Sequence, residues 1–338
     1  MRSWIGTSMA FTASQPDWQP PVWLPHDQVN AHPDEGLLVR AGIPHRGGRL
    51  AAHALNNGYA ALVSAAAFWN RKQRRFQIPS VCDLYGMDWA LDSAGFTAVR
   101  NWQVHGKQLG TAGVYPWTCA EYIQLVCEAR PTWWAAQDLC CEPEVSGSAE
   151  TVDYRVRATA TLLESTLQHV YHCQGQMAKQ GWSARAIANT LPPPVPVIQG
   201  WSSDSYLKSL ELTLQVWERW QPWVGAPKLI GIGSVCRRHL HHPGHGLLAV
   251  LGALQAHWPS GGARAHLFGV KGPALTTVKH MEFIASTDSM AYDLAARRGA
   301  LVEGRSNSFE SRQQCMTDWM SRASVHLGRR DAYLSRAP

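Results

Sequence analysis

From residue 78 onward, the chain alternates short apolar runs with longer stretches of helical periodicity. Each apolar run ends at polar or glycine-rich residues, which is typical of a buried strand followed by a helix. The predicted strands span residues 89–91, 133–136, 195–198, 229–232, 266–270 and 283–285. This alternation predicts an α/β fold of parallel strands joined by crossover helices.

The parts of the chain outside this alternation have other patterns. Residues 1–45 contain scattered prolines and little periodicity, which predicts an irregular N-terminal arm. Residues 51–69 place small and apolar side chains at helical spacing, and a basic run follows them. Residues 174–194 and 239–245 are predicted insertions. The expected division, effectively within a single domain, is an arm and a packed helix at 1–77, a barrel core at 78–300 and a helical C-terminal segment at 301–338.

Polar residues and glycines follow directly after the predicted strands. They are Asp92, Gln137, Asp138, Gln199, Gly233, Ser234, Lys271 and Asp288. In a (β/α)8 TIM barrel, such positions meet at the carboxyl-terminal rim, where the active site lies. An open doubly wound sheet would instead show a phosphate-binding glycine motif in its first βα turn, and none is present. The sequence therefore predicts a (β/α)8 barrel with its site at the rim.

Two of these carboxylates follow apolar runs of the same kind. Asp92 lies in WALDSAGF, where Ser93 and Ala94 make a turn small enough for the backbone to approach a ligand. Asp288 lies in ASTDSMAY. Each carboxylate could instead cap the helix that follows it. Two carboxylates at one barrel mouth suit a double displacement at an anomeric carbon, in which one attacks and the other moves protons.

A third carboxylate, Asp138, lies in AAQDLCCEP. A carboxylate offers only hydrogen-bond acceptors, which suits the ring N–H and the exocyclic amine of guanine. Cys140 and Cys141 follow it and could be zinc ligands or buried thiols. Their vicinal spacing is unlike that of zinc sites, which favours buried thiols.

Composition narrows the class of protein. The chain has 338 residues, of which 45% are hydrophobic and 17% are charged, so it is too apolar for a disordered protein. Its longest alanine-rich apolar stretch, 60–69, is too short for a bilayer span, and no secretory signal pattern follows Met1. Eight cysteines without framework spacing indicate reduced thiols, and hence a cytoplasmic protein. The net charge of +6 favours an anionic partner such as nucleic acid.

Six sequence strings carry a resemblance to a known family. In chain order over residues 89–299 they are WALDSAGF, AAQDLCCEP, PVIQGW, LIGIGSVCRR, LFGVKGPAL and STDSMAYDLAARRG. Together they resemble the tRNA-guanine transglycosylase superfamily, and more closely its DNA-acting branch, the DpdA family, which places 7-deazaguanines in DNA. The GSVCRR and DSM strings are similar to that branch, whereas the tRNA enzymes typically have GG-L and FDC or FDS motifs.

The resemblance implies a role for each matching residue. Asp288 would be the nucleophile and Asp92 the general acid/base, while Ala94 stands where the tRNA enzymes have glycine. The implied base-binding residues are Ser93, Asp138, Cys140, Gln199 and Gly233. The implied activity exchanges guanine in DNA for a preQ0-like 7-deazaguanine through a covalent aspartyl-deoxyribose intermediate, and it requires no cofactor.

The implied partners are DNA, the free 7-deazaguanine, guanine and possible accessory DNA-modification proteins. Basic residues that follow the rim motifs are expected to contact phosphates, with solvated charges as the alternative. They are Arg237, Arg238, Lys271, Arg297 and Arg298. The C-x-C-x-x-C plus His zinc motif of the tRNA enzymes is absent, since only Cys315 and His326 follow Asp288. Cys236 and the histidines of 239–245 could form a different zinc cluster, or else a surface loop near DNA phosphates.

Three other functions stay open at this point. An RNA-acting transglycosylase would use the same aspartates together with an added RNA-binding domain, for which the residues after Gly299 look too few. A non-catalytic nucleic-acid-binding homologue would be favoured by loss of an aspartate, and both Asp92 and Asp288 are present. A sugar-processing barrel hydrolase also uses two carboxylates, but it has no need of Asp138 beside a purine cradle.

Overall fold

The structure, a computed structural model, describes residues 36–79, 82–236, 238–270 and 272–328. Most of the predicted N-terminal arm therefore lies outside the described residues. The strands are β1 Leu38–Ile43, β2 Ala61–Ser64, β3 Trp69–Asn70, β4 Arg75–Phe76, β5 Trp89–Asp92, β6 Trp133–Trp134, β7 Val197–Ile198, β8 Leu229–Ile232, β9 Arg264–Leu267 and β10 Ile284–Ser289. The α-helices are α1 Arg49–Asn56, α2 Gly95–His105, α3 Cys119–Ala129, α4 Pro143–Ser146, α5 Ala149–Lys179, α6 Ala184–Thr190, α7 Ser203–Val224, α8 Leu247–His257, α9 Leu275–Val278, α10 Ala291–Val302 and α11 Phe309–Leu327.

All described strands except β3 and β4 form one parallel sheet of eight strands, in the order β6-β5-β2-β1-β10-β9-β8-β7. The two ends of this sheet meet at a parallel bridge between Ala135 and Val195. There the Val195 N–H donates to the Trp134 carbonyl at 2.8 Å, and the Ala136 N–H donates to the Val195 carbonyl at 2.9 Å. These hydrogen bonds close the sheet, and the predicted (β/α)8 barrel is confirmed.

The barrel is held by apolar side chains on both faces of its strands. Inside, Leu62, Trp133, Val197 and Leu229 belong to one buried cluster that fills the lumen. Outside, a larger cluster packs the strands against the helices. Strands buried on both faces are the reason that these segments form continuous apolar runs rather than alternating ones.

The first two barrel strands were not predicted. Residues 51–69 were expected to form one helix, but α1 ends at Asn56 and the chain then enters β2. The helix stops because Gly58 adopts a left-handed φ of 65°, and the Tyr59 N–H bonds back to the Ala54 carbonyl at 2.9 Å. The expectation of only an arm and a helix at 1–77 is therefore wrong for residues 38–64, which supply β1 and β2.

Smaller differences concern the two predicted insertions and the last strands. The segment 174–194 begins inside α5, and Gln174 is buried, with its amide donating to the Leu191 carbonyl at 2.7 Å. It is part of the packed return to β7 rather than an insertion. Residues 239–245 form turns between β8 and α8. Strand β9 ends at Leu267, three residues earlier than predicted, and β10 continues through Asp288.

Two further observations concern the helices. The C-terminal segment contains α11, which buries Met316 and Met320. Within the described residues, no helix has both the length and the apolar character needed to cross a membrane.

Candidate active site

Three carboxylates meet at the carboxyl-terminal rim of the barrel. Asp92 is the last residue of β5, Asp138 follows β6, and Asp288 lies near the end of β10. They are close enough that the negative charges of Asp138 and Asp288 both raise the pKa of Asp92. Neither Asp92 nor Asp288 caps a helix, because the N-cap positions of α2 and α10 are Ala94 and Met290.

Asp92 is a carboxylate whose pKa lies near neutrality. Burial and then the charges of Asp138 and Asp288 raise its pKa to about 7, although hydrogen bonds from the Ala94 backbone and the Ser64 side chain oppose this change. The Ala94 N–H donates to Oδ2 of Asp92 at 3.1 Å. A carboxyl group that exchanges its proton near pH 7 has the property that a general acid/base needs.

The turn after Asp92 brings the backbone close to Asp138. Ala94 has φ 70° and ψ 27°, a left-handed conformation that costs a non-glycine residue roughly 1 kcal/mol or more. At Gly95, a Cβ would lie 2.8 Å from Oδ1 of Asp138. The small residues of this turn are therefore required for α2 to begin directly against the Asp138 carboxylate.

Asp288 is oriented by groups on the neighbouring strand and loop. Its Oδ1 accepts the Gly269 N–H at 2.9 Å and lies 3.4 Å from Nε2 of His266. The Asp288 side chain is 11% exposed. Among the described residues, no hydrogen bond to Oδ2 of Asp288 is found. One carboxylate oxygen is thus fixed, while the other is available at the mouth.

His266 is a site residue that the sequence analysis missed. Its ring is fully buried and packs against Trp133 and Phe268 at centroid distances of 4.9 and 4.7 Å. Nδ1 lies 2.8 Å from the Ser286 hydroxyl. Burial lowers the pKa of His266, and the Asp288 charge opposes that change. In the tautomer in which Ser286 donates to Nδ1, the Nε2 proton of a neutral ring points towards Asp288, 3.4 Å away. The available sequence signal was a histidine inside an apolar strand.

Asp138 is the centre of a buried hydrogen-bond network. Ser93 donates to its Oδ1, and the side-chain amide of Gln199 donates to its Oδ2. The Tyr115 hydroxyl donates to the Asp138 carbonyl at 2.7 Å. Burial raises the pKa of Asp138 to about 6, while the hydrogen bonds from Ser93 and Gln199 oppose the rise. Ser93, Asp138 and Gln199, which were predicted to share a site, are therefore in direct contact.

The same network continues to the loop after β8. The Ser234 hydroxyl lies 2.6 Å from Oε1 of Gln199 and 2.9 Å from Oε2 of Glu142, and it accepts the Cys141 N–H at 2.7 Å. Gly233 is required here, since a Cβ would overlap the Gln199 amide. Glu142 and Tyr115 were missed by the sequence analysis, because their place in the network depends on contacts across the barrel.

The model of one protein family matches residues 61–333 of this chain; the family is DpdA, described as DeoxyPurine in DNA protein A. The chain belongs to the DpdA family. Comparison with curated proteins gives no match. The DpdA match runs from β2 to beyond α11 and so contains every residue of the site, which confirms the resemblance carried by the six strings.

The vicinal cysteines of this DpdA-family chain are buried thiols. Cys140 and Cys141 are both buried and take part in no disulfide. Burial raises the pKa of the Cys140 thiol far above its usual range and that of Cys141 to about 12. The charges of Asp138 and Glu142 act on Cys140 in the same direction, which places this thiol beside the network.

Arg238 is not a phosphate contact, contrary to the sequence prediction. It is buried, and its guanidinium donates to the carbonyls of Gly200, Trp201, Ser234 and His245. It also stacks 4.0 Å from the centroid of the Trp201 ring. Because these carbonyls accept the guanidinium N–H groups, Arg238 holds the loops after β7 and β8 together instead of facing solvent.

Two other predicted phosphate contacts, Arg297 and Arg298, lie on α10. Arg297 pairs with Asp293, and Arg298 is exposed on the same helix. Both lie about 10 Å along α10 from its start at the rim, at 1.5 Å per residue. Phosphate contact by these two arginines stays a prediction. Arg237 and Lys271 lie outside the described residues.

Two ring nitrogens of the histidine-rich loop of this DpdA-family chain accept hydrogen bonds within the loop. Nδ1 of His239 accepts the His241 N–H at 3.3 Å. Nδ1 of His242 accepts the N–H groups of Gly244 and His245 at 3.2 and 3.3 Å. These ring nitrogens therefore accept hydrogen bonds from backbone N–H groups of the same loop. In the described part of the chain, no three His, Cys, Asp or Glu side chains converge as metal ligands.

Proposed function

We propose that this DpdA-family protein is a DNA-guanine transglycosylase that exchanges guanine in DNA for a preQ0-like 7-deazaguanine. The observation that carries the proposal is the division of three rim carboxylates into three environments. Asp92 has a pKa of about 7, Asp138 is enclosed by donors, and Asp288 is oriented through one oxygen. A base exchange needs one proton carrier, one base-reading acceptor and one nucleophile.

In the first half of the reaction, Oδ2 of Asp288 attacks C1′ of the target deoxyguanosine. The C1′–N9 bond breaks, and its electron pair leaves with guanine, which takes the proton of Asp92 at N7. The product is a covalent aspartyl-deoxyribose intermediate. The Gly269 N–H and His266, which hold Oδ1, keep the attacking carboxylate aligned with C1′.

In the second half, a 7-deazaguanine enters the pocket after guanine has left. Its N9–H proton passes to Asp92, and N9 attacks C1′ as the ester bond to Asp288 breaks. The Asp288 carboxylate and the protonated Asp92 are restored. Two successive displacements retain the configuration at C1′. Because one glycosidic bond replaces another, no nucleoside triphosphate is consumed.

The Asp138 network supports recognition of a guanine-like base. The Asp138 carboxylate accepts the ring N–H and the exocyclic amine, while Gln199 and Gly233 face the O6 edge or the 7-substituent. The amide of Gln137 is buried at the same rim and has no hydrogen-bond partner among the described residues. A buried amide of this kind is stabilised when a ligand supplies its missing hydrogen bonds. The target nucleotide must leave the stack to reach this pocket.

The proposal is tested by base incorporation. Purified protein is incubated with preQ0 and either guanine-containing DNA or tRNA, and the digested nucleosides are analysed by mass spectrometry. We expect deazaguanine in DNA, and none with Asp288→Ala. Asp318→Ala, which removes an exposed carboxylate on α11, is the matched control and should keep full activity. Incorporation into tRNA alone would assign the protein to the RNA-acting alternative.

A further inference from the structure

We infer that a basic cleft on the outside of the barrel, lined by the β3–β4 hairpin and the end of α2, binds the phosphodiester backbone of the substrate DNA, an inference that rests on the proposed function. The cleft lies between the β3–β4 hairpin and the segment around the end of α2. It has a volume of about 300 Å³. Its principal lining residues are Trp69, Arg71, Arg74, Asn101, His105 and Lys107.

The positive charge of this cleft is not neutralised by the protein. None of the residues that line it is acidic. Across the described residues, no carboxylate lies within ion-pair distance of Arg71, Arg74 or Lys107. Lys72 and Arg75 are exposed on the same hairpin. Several cations held close together without carboxylate partners create the positive potential that a nucleic-acid backbone neutralises.

The hairpin that carries Arg71, Lys72, Arg74 and Arg75 is braced by hydrogen bonds. Oδ1 of Asn70 accepts the N–H groups of Lys72 and Gln73, each at 3.0 Å. Nδ2 of Asn70 donates to Oε1 of Gln77 at 3.1 Å, and Arg46 donates to the same oxygen at 3.0 Å. Arg71 reaches across the cleft to Oδ1 of Asn101 at 3.4 Å. The cations are therefore presented by an ordered turn, which lowers the entropic cost of binding an anion.

An aromatic cluster joins the cleft to the base pocket. Trp69 and Phe76 of the hairpin contact the Trp117 ring at centroid distances of 5.4 and 5.0 Å. Trp117 in turn contacts Tyr115 at 5.6 Å, and the Tyr115 hydroxyl donates to the Asp138 carbonyl. Helix α2, which supplies Asn101 and His105, begins against Asp138 and is about 15 Å long. A strand whose target base occupies the pocket can therefore reach the cleft within a few nucleotides.

The test compares two variants that lose the same number of positive charges. The first is Arg71→Ala/Arg74→Ala/Lys107→Ala in the cleft. The control is Lys179→Ala/Arg185→Ala/Lys228→Ala, at the end of α5, in α6 and before β8, where the chain approaches the amino ends of the barrel strands. Binding of a fluorescein-labelled guanine-containing oligonucleotide is followed by anisotropy at several salt concentrations. Circular dichroism checks that both variants are folded.

We expect the cleft variant to lose at least tenfold in DNA affinity at about 0.1 M salt, and its slope of log K against log salt to fall by about 2 to 3. The control should match wild type. Equal affinity and slope in the two variants, or no DNA binding by wild type, would overturn the cleft as a DNA site. If wild type binds DNA through the cleft but incorporates no deazaguanine, the base-exchange function fails while the cleft stands.

Discussion

The Asp92→Asn substitution separates the catalytic value of Asp92 from its effect on stability. Burial and the charges of Asp138 and Asp288 raise the pKa of Asp92 from 3.8 to about 7. At about 1.36 kcal/mol per pKa unit, ionising this group costs about 4 kcal/mol more in the folded protein than in the unfolded chain. Because Asp92 is only partly buried, solvent screening reduces the expected value to about 2 to 4 kcal/mol.

The pH dependence follows from the direction of this pKa change. Between about pH 4 and pH 7, the folded state binds the Asp92 proton more tightly than the unfolded state, so stability falls as the pH rises through this interval. Asparagine does not ionise, and its side-chain oxygen can still accept the Ala94 N–H. The variant should therefore be more stable than wild type by about 2 to 4 kcal/mol at pH 8, with a difference below about 1 kcal/mol near pH 4.

Urea denaturation followed by circular dichroism at both pH values measures this difference, with Asp318→Asn as the exposed-carboxylate control. The same Asp92→Asn protein should lose base exchange by a factor of at least about 100, because it can neither give nor take a proton. A variant that is no more stable than wild type at pH 8 would show that the fold does not disfavour the Asp92 charge. Retained base exchange would remove Asp92 from the mechanism.

Three other substitutions test further parts of the site. His266→Asn removes an orienting contact to Asp288, so it should slow formation of the covalent intermediate about tenfold or more in single-turnover assays while DNA affinity stays unchanged. An unchanged rate would contradict this role. Gly233→Ala should weaken binding of the free base at least tenfold by displacing Gln199, as measured by inhibition constants, and unchanged binding would refute that packing. Ala94→Gly should keep activity and change the free energy of unfolding by no more than about 1 kcal/mol, because relief of the left-handed strain is offset by glycine entropy; a loss of several kcal/mol in urea denaturation would contradict it.

The rim of the barrel could be predicted from the sequence because each strand end is local information. An apolar run that stops at Asp92, Gln199 or Gly233 identifies both the strand and the polar residue at its end. Strand β2 could not be found in this way. It lies within an alanine-rich stretch, residues 60–67, that favours a helix, and only pairing with β1 and β5 makes it a strand.

The contacts that complete the site depend on tertiary structure. Glu142 joins the base pocket through Ser234, which is distant in sequence, and His266 reaches Asp288 across neighbouring strands. For Arg238, by contrast, the sequence predicted a contact that the structure does not support. An arginine after a rim motif suggested a phosphate contact, but the carbonyls of two adjacent loops take its donors. The basic run in the β3–β4 hairpin was visible in the sequence, whereas the cleft that it lines was not.

The most direct test of the account is to identify the residue that becomes attached to DNA. Protein is incubated with guanine-containing DNA without added free base, denatured and digested, and the cross-linked peptide is sequenced by mass spectrometry. We expect a deoxyribose adduct on Asp288 that is absent from Asp288→Asn and disappears when a 7-deazaguanine is added before denaturation. An adduct on another residue, or incorporation of deazaguanine into DNA by Asp288→Asn, would contradict it.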